Sequence, residues 1–244
     1  MSKKIKIYYS EMIGCELYEM AKIASYDVGN LFEETENESI YKSCPAWSHK
    51  AKRTFLIKSP LDMTFSLNES FCVPGTFNIT PRLESSNLTQ KGFNEIVELH
   101  ENWYGHNKIT IQLNIPRYVF WTDESNVWMD LKSSVLTPQR CNYRYIGGWF
   151  NISDWSRPAS FAFDIADKKQ PIIIKRGDVL NEVCFYGNNL DDIIILERSE
   201  LTETLYKKIE NRLSVKNYVN NMSNKFLFNS KSSSKCPFFK IFKK

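Results

Sequence analysis

Apolar and polar residues alternate along several short stretches of this chain, and a period of two marks a half-buried strand. Ile109, Ile111, Leu113 and Ile115 alternate with Thr110, Gln112 and Asn114 until Pro116 ends the run. Val127, Met129 and Leu131 repeat the pattern, which predicts one dry and one wet face. Residues 4–9 alternate charged with apolar side chains and suit an opening strand. Shorter candidates occupy residues 54–58, 63–67, 118–121, 161–165, 171–175, 180–186 and 193–196. Turn chemistry separates them: Ser59-Pro60-Leu61-Asp62, Asp123-Glu124-Ser125-Asn126, Gly147-Gly148 and Arg176-Gly177-Asp178. Close spacing of this kind predicts a mainly β fold, an antiparallel barrel or jelly roll over residues 1–198.

The period then changes. Leu201, Leu205, Ile209 and Leu213 recur every four residues, a helical stripe over about 199–222. Glu200 and Glu203 near its start and Lys216 near its end complement the helix dipole. A four-residue period drifts off a heptad, so the helix is expected to dock on the β domain rather than form a coiled coil. Pro45, after Cys44, opens a helical turn that reaches Lys52, because proline suits the first helical position. Residues 33–39 read as an exposed acidic loop and residues 71–82 as a hairpin-like excursion. Residues 92–103 mix the two periods, and residues 11–30 show neither. No internal repeat is visible.

Composition sharpens this picture. Hydrophobic residues make up 42% and charged residues 25%, enough for a sizeable core and unlike a disordered chain. Aromatics reach 14%, which favours strands. The net charge is +4, yet the residues from Lys225 onward hold six lysines and no acid, so the body is close to neutral. That balance argues against nucleic-acid binding by the whole domain. No run approaches the roughly 18 apolar residues of a membrane span. Met1-Ser2-Lys3-Lys4-Ile5 carries no apolar signal core, so an intracellular setting with reduced thiols is expected. The six cysteines include no CxxC pair, and His49, His100 and His106 do not fall at metal-ligand spacing. No metal and no cofactor is expected. P-loop, GxGxxG, GxSxG and HExxH motifs do not occur.

The densest pattern lies between Gly147 and Gly187. Gly148-Trp149-Phe150-Asn151 makes a turn with a polar tip, Phe161–Ile165 a strand, and Arg176-Gly177-Asp178 a tight turn leading into residues 179–185. This order resembles the core of the dUTPase and dCTP deaminase barrel family, with its Gly-x-x-Asp turn and its later Gly-Asp turn before a strand. The resemblance implies a barrel. It does not carry the family's base: Asn151 stands where those enzymes keep the carboxylate that activates water, and an amide is no base at neutral pH. Asp154, three residues on, is the alternative catalytic residue, with Arg157 on phosphate and Trp155 near a base ring. Trp149, Asn151, Asp154, Trp155 and Arg157 are therefore the candidate ligand-binding residues, with a nucleotide as the implied ligand.

A second resemblance covers roughly residues 40–200. Cys44-Pro45-Ala46, Leu56-Ile57-Lys58-Ser59-Pro60-Leu61-Asp62, the Gly148 turn and the Arg176-Gly177-Asp178 turn occur in one order. This is similar to a family of tailed-bacteriophage β-barrel proteins with no established activity. It implies a viral β-barrel protein. Together with the missing base at Asn151 and the aromatic tail, it leads to the expectation of a non-enzymatic protein that acts by binding, a virion component or host-interaction factor in the host cytoplasm or the virion, as a homo-oligomer or with a viral or host partner. The tail over 223–244 carries Phe238, Phe239, Phe242, Lys243 and Lys244. It reads as a solvated chain end, as a segment docked on a neighbouring subunit, or as a contact to an anionic surface. A further candidate is a sugar or cyclic-nucleotide pocket lined by Trp121, Trp128 and Trp149.

Overall fold

A computed structural model describes residues 2–12, 28–35, 43–69, 77–82, 89–101, 109–154, 156–159 and 161–218, with side chains placed as far as residue 210 in the last helix. The fold is mainly β. Its strands are β1 (Lys4–Glu11), β2 (Gly29–Asn30), β3 (Thr54–Lys58), β4 (Met63–Glu69), β5 (Phe77–Pro81), β6 (Val97–Glu101), β7 (Ile109–Leu113) and β8 (Tyr118–Trp121). They continue with β9 (Trp128–Lys132), β10 (Tyr143–Tyr145), β11 (Gly148–Asn151), β12 (Phe161–Ile165), β13 (Ile172–Ile174), β14 (Val179–Tyr186) and β15 (Ile193–Arg198). The helices are α1 (Leu31–Glu34), α2 (Pro45–Ala51), α3 (Gln90–Ile96) and α4 (Glu203–Tyr218).

The strands make four sheets: β15-β1-β8, β11-β9-β14-β3-β2, β10-β12-β7-β6 and β13-β4-β5. Among the described residues none of these sheets closes on itself, and β1 runs parallel to β15. The expected closed antiparallel barrel is thus replaced by open sheets facing one another. The reason is local. Consecutive strands β3 and β4 are joined by the Ser59–Asp62 turn yet enter different sheets, so one continuous ladder never forms.

Two cores result. Ile5, Ile7 and Tyr9 of β1 and Phe120 of β8 meet Phe55 of β3, Met129 of β9 and Phe185 of β14. Met63 and Phe65 of β4 and Ile172 and Ile174 of β13 meet Ile111, Phe161 and Phe163 across the second pair of sheets, with Phe93 and Ile96 of α3 filling the end. β14 belongs to both: Leu180 lies in the second core, Val183 and Phe185 in the first. A register shift between Val179 and Asn181 lets one strand turn from one core to the other.

Local chemistry explains where the sequence pattern was mixed. Thr89 caps α3 by accepting from the Gly92 N–H at 3.1 Å, and the chain passes from Ile96 directly into strand β6. One segment therefore shows both periods. Asn30 caps α1 through the Phe32 N–H at 2.9 Å, so Glu33 lies in a short helix rather than the expected loop. The Arg176-Gly177-Asp178 turn has Gly177 at φ 87°, a conformation that costs other residues roughly 1–2 kcal/mol. Its Gly177 N–H donates to the Ser59 carbonyl at 2.8 Å, and Asp178 pairs with Arg140. The tripeptide is a structural clasp between two turns. Leu201, Leu205 and Ile209 pack on Met12, Val119 and Trp121, which places α4 on the outer face of the β15-β1-β8 sheet. Among the described residues, no helix is long and apolar enough to cross a membrane.

Phe185 is fully buried and touches Phe55 at 5.8 Å and Phe120 at 5.5 Å between ring centroids, which joins two sheets. Replacing it with alanine leaves a cavity that the sheets cannot collapse onto. Phe185→Ala is expected to cost about 3–5 kcal/mol in denaturant unfolding. A loss under about 1 kcal/mol would show that the two sheets do not depend on this contact.

Candidate functional site

The outer face of the five-stranded sheet carries the candidate site. Alternation on β9 sends Met129 and Leu131 into the core and leaves Trp128, Asp130 and Lys132 on the other side. β14 likewise sends Val183 and Phe185 into the core, while Cys184, itself fully buried, and the partly exposed Tyr186 lie on the opposite side. Register sets Trp149 of β11 and Cys184 of β14 opposite Asp130, and Asn151 and Tyr186 opposite Trp128. Gly147 makes this approach possible: a Cβ there would stand 2.1 Å from the Leu131 carbonyl oxygen of β9.

Trp149 is 57% exposed, one of few large apolar side chains presented to solvent. Its indole stacks on the Tyr186 ring at 5.6 Å and 8°. The Asp130 carboxyl is raised above its ordinary range by burial, against the pull of Lys132, Lys50 and the Trp149 indole. Burial also raises the Tyr186 phenol, with a further push from Cys184. Trp128 donates through its indole N–H to the Asn126 side-chain oxygen at 3.0 Å, and the Asn126 amide donates to Asn188 at 2.5 Å. His49 of α2 lies 3.9 Å from Asp191 at the rim. Arg53 is 5% exposed, and its guanidinium donates to the Leu190 and Asp192 carbonyls, the latter at 3.1 Å.

Residues 148–151, expected as a turn, form strand β11 because they pair with β9, and the turn follows at residues 152–154, where the other candidates lie. Asn151 is buried and uses both ends of its amide: its oxygen accepts from the Ser153 N–H at 3.0 Å, and its NH2 donates to Asp154 at 3.1 Å. The Ser153 hydroxyl in turn accepts from the Val127 N–H at 2.8 Å. Asp154 is exposed beside this turn. An amide is what the position demands, because a carboxylate could accept from Ser153 but would face Asp154 with like charge. Arg157 lies over the Phe150 ring at 5.1 Å, and its Nε donates to the Pro158 carbonyl at 3.4 Å. Burial lowers its affinity for the proton.

Of the sequence candidates, Trp149 and Trp128 share the outer face, while Asn151, Asp154 and Arg157 cluster around the turn at its edge. Trp121 lies elsewhere, stacked on Tyr8 at 5.9 Å beneath α4. Trp155, His106 and the tail residues Phe238, Phe239, Phe242, Lys243 and Lys244 lie outside the described residues. Among the described residues no group of three His, Cys, Asp or Glu side chains is arranged to hold a metal ion. Cys141 is buried, and its thiol is pushed up to about 12, chiefly by burial and then by Asp178, which makes it a poor nucleophile. Sequence reasoning missed Asp130 and Tyr186. The alternation through Val127, Met129 and Leu131 already put Asp130 on the wet face with Trp128, but the register to β14 was needed to add Tyr186.

The chain matches no protein-family model, and it matches no curated protein sequence.

Two variants test this geometry. Asp130 binds a proton more readily when folded than the ordinary 3.8 of an unfolded aspartate, so its ionisation works against the fold as pH rises through and above that range. Asp130→Asn removes the partly buried charge at nearly constant shape and is expected to raise Tm at pH 7, with the gain vanishing at about pH 3 where the acid is already neutral. Calorimetry at the two pH values reads this, and a loss of Tm at pH 7 would contradict it. Asn151→Asp sets two carboxylates side by side. It is expected to cost about 1–2 kcal/mol at pH 7 and to recover as pH falls and one of the pair protonates. A penalty independent of pH would rule out charge repulsion as its cause.

Proposed function

We propose that this chain is a non-enzymatic binding protein of a tailed bacteriophage, acting as a virion component or host-interaction factor. The binding part rests on one observation: the Trp149 ring is stacked on Tyr186, 8° from parallel, while more than half of the residue faces solvent. An aromatic ring set rigidly on strands and left exposed gives contact area at small entropic cost. The viral part rests on the resemblance through Cys44-Pro45-Ala46, the Ser59-Pro60 turn, the Gly148 turn and the Arg176-Gly177-Asp178 turn. A mainly β architecture is what that resemblance implies, and a jelly-roll or dUTPase-like topology is part of the same proposal. Assembly as a homo-oligomer, or with a viral or host protein, and a place in the host cytoplasm or the virion belong to it too.

The competing reading is a nucleotide hydrolase with Asp154 as base. Against it stands Asn151, whose amide is consumed in holding the turn, with Asp154 as its acceptor. Purified protein with magnesium and each of dUTP, dCTP, ATP and GTP is expected to show no multiple-turnover release of phosphate or pyrophosphate. Turnover that Asp154→Asn abolishes would replace the binding reading with the enzymatic one. Mass spectrometry of purified phage particles separates the virion role from the host-interaction role.

A further inference from the structure

The chemistry of the outer sheet face narrows the ligand class, and the argument rests on the binding reading above. Three features converge there. First, the rings are preset. Trp149 stacks on Tyr186 and Trp128 donates to Asn126, so both rings are held within the protein, and the face of Trp149 away from Tyr186 is left to a ligand. Second, charge is balanced. Lys132 lies 3.9 Å from the Glu182 carboxylate, and Lys50 and Lys132 both act on Asp130. A polyanion bound here would gain little, because phosphate neutralisation by unpaired cations dominates nucleic-acid affinity. Third, amides form part of the rim, which also carries the His49–Asp191 pair. The exposed Asn126 and Asn188 side chains, bonded to each other at 2.5 Å, adjoin Trp128 where a protein-binding hot spot would have apolar packing.

An exposed ring face with neutral amide donors and acceptors beside it is the complement of a pyranose. One side of a sugar ring is a sheet of C–H groups, and its perimeter is hydroxyls that both donate and accept. A nucleobase shares the flat face but brings a phosphate, and the nearby Lys132 is already paired with Glu182. We infer that the outer face of the five-stranded sheet binds a neutral oligosaccharide, one pyranose stacking on Trp149 and a neighbouring unit reaching the Asn126–Asn188 amides. A shallow face of this kind gives dissociation constants of about 1 mM for a short oligosaccharide.

The test is NMR titration of the 15N-labelled full chain with cellotetraose, maltotetraose, mannotetraose and tetra-N-acetylchitotetraose. At least one of them is expected to move the Trp149 indole N–H signal saturably. Trp149→Ala is expected to weaken that sugar about tenfold or more, with Trp149→Phe between the two. Val135→Ala, exposed and outside the patch, should match the parent. A dispersed amide spectrum of each variant confirms that it folds. No saturable shift with any of the four sugars overturns the saccharide inference. An affinity unchanged by Trp149→Ala overturns the assignment to this face. A dT tetranucleotide that moves the Trp149 signal when no sugar does replaces the ligand class and leaves the binding reading intact. Hydrolytic turnover in the nucleotide assay removes the binding reading without bearing on whether sugars occupy this face.

Discussion

The structure depends on β14 being buried along both faces. Seven of its eight residues are buried, and only the terminal Tyr186 is half exposed. A strand covered on both sides cannot alternate cleanly between oil and water. It must satisfy whatever polar groups it carries, and β14 carries Asn181 and Glu182. Glu182 accepts from the Ser134 hydroxyl at 3.0 Å with Lys132 beyond, so a buried carboxylate has partners on the neighbouring strand and turn. The register shift at its start supplies the rest. It allows Leu180 to enter one core and Val183 and Phe185 the other, so a single strand joins two pairs of sheets.

The exposed face inherits its order from this strand. Tyr186 stands where burial ends, at the last position of β14, and its ring backs Trp149 from across β9. Asp130 lies between them on β9, opposite Trp149 on one side and Cys184 on the other. The carboxylate is held in a partly dry place at a cost that its raised proton affinity records. A group retained against such a cost is a stronger hint of use than a well-solvated one, since nothing in the fold requires an acid at that position. Asn151 at the neighbouring turn is the opposite case, where the fold accounts for the residue completely.

Much of the architecture was legible from the chain. Alternation through Ile109–Leu113 and around Met129 named strands and their dry faces, and Gly177 marked a turn that in fact takes a left-handed conformation. The four-residue stripe of Leu201, Leu205 and Ile209 foretold a helix laid on a sheet. Sheet closure was not legible, because period-two patterning fixes which side of a strand is dry and says nothing about its neighbour. The parallel pairing of β1 with β15 is the clearest instance: neither strand carries a local sign of it. The same limit applies to the site. Trp149 and Asp154 stood out as residue types near a glycine turn, while Tyr186 read as the last residue of an ordinary strand until register brought it beside the indole.

That parallel pairing also shapes how the chain can be made. Lys3 and Asp192, which bond at one end of the β1–β15 ladder, are 189 positions apart. At a synthesis rate of 5–20 residues per second, β1 waits about 10 to 40 s on the ribosome for the strand that covers its edge. Through most of that interval β8 can cover one edge of β1 while the other stays open. An unpaired strand edge is a template for other chains, so the hazard of mispairing lasts until residue 198 has emerged.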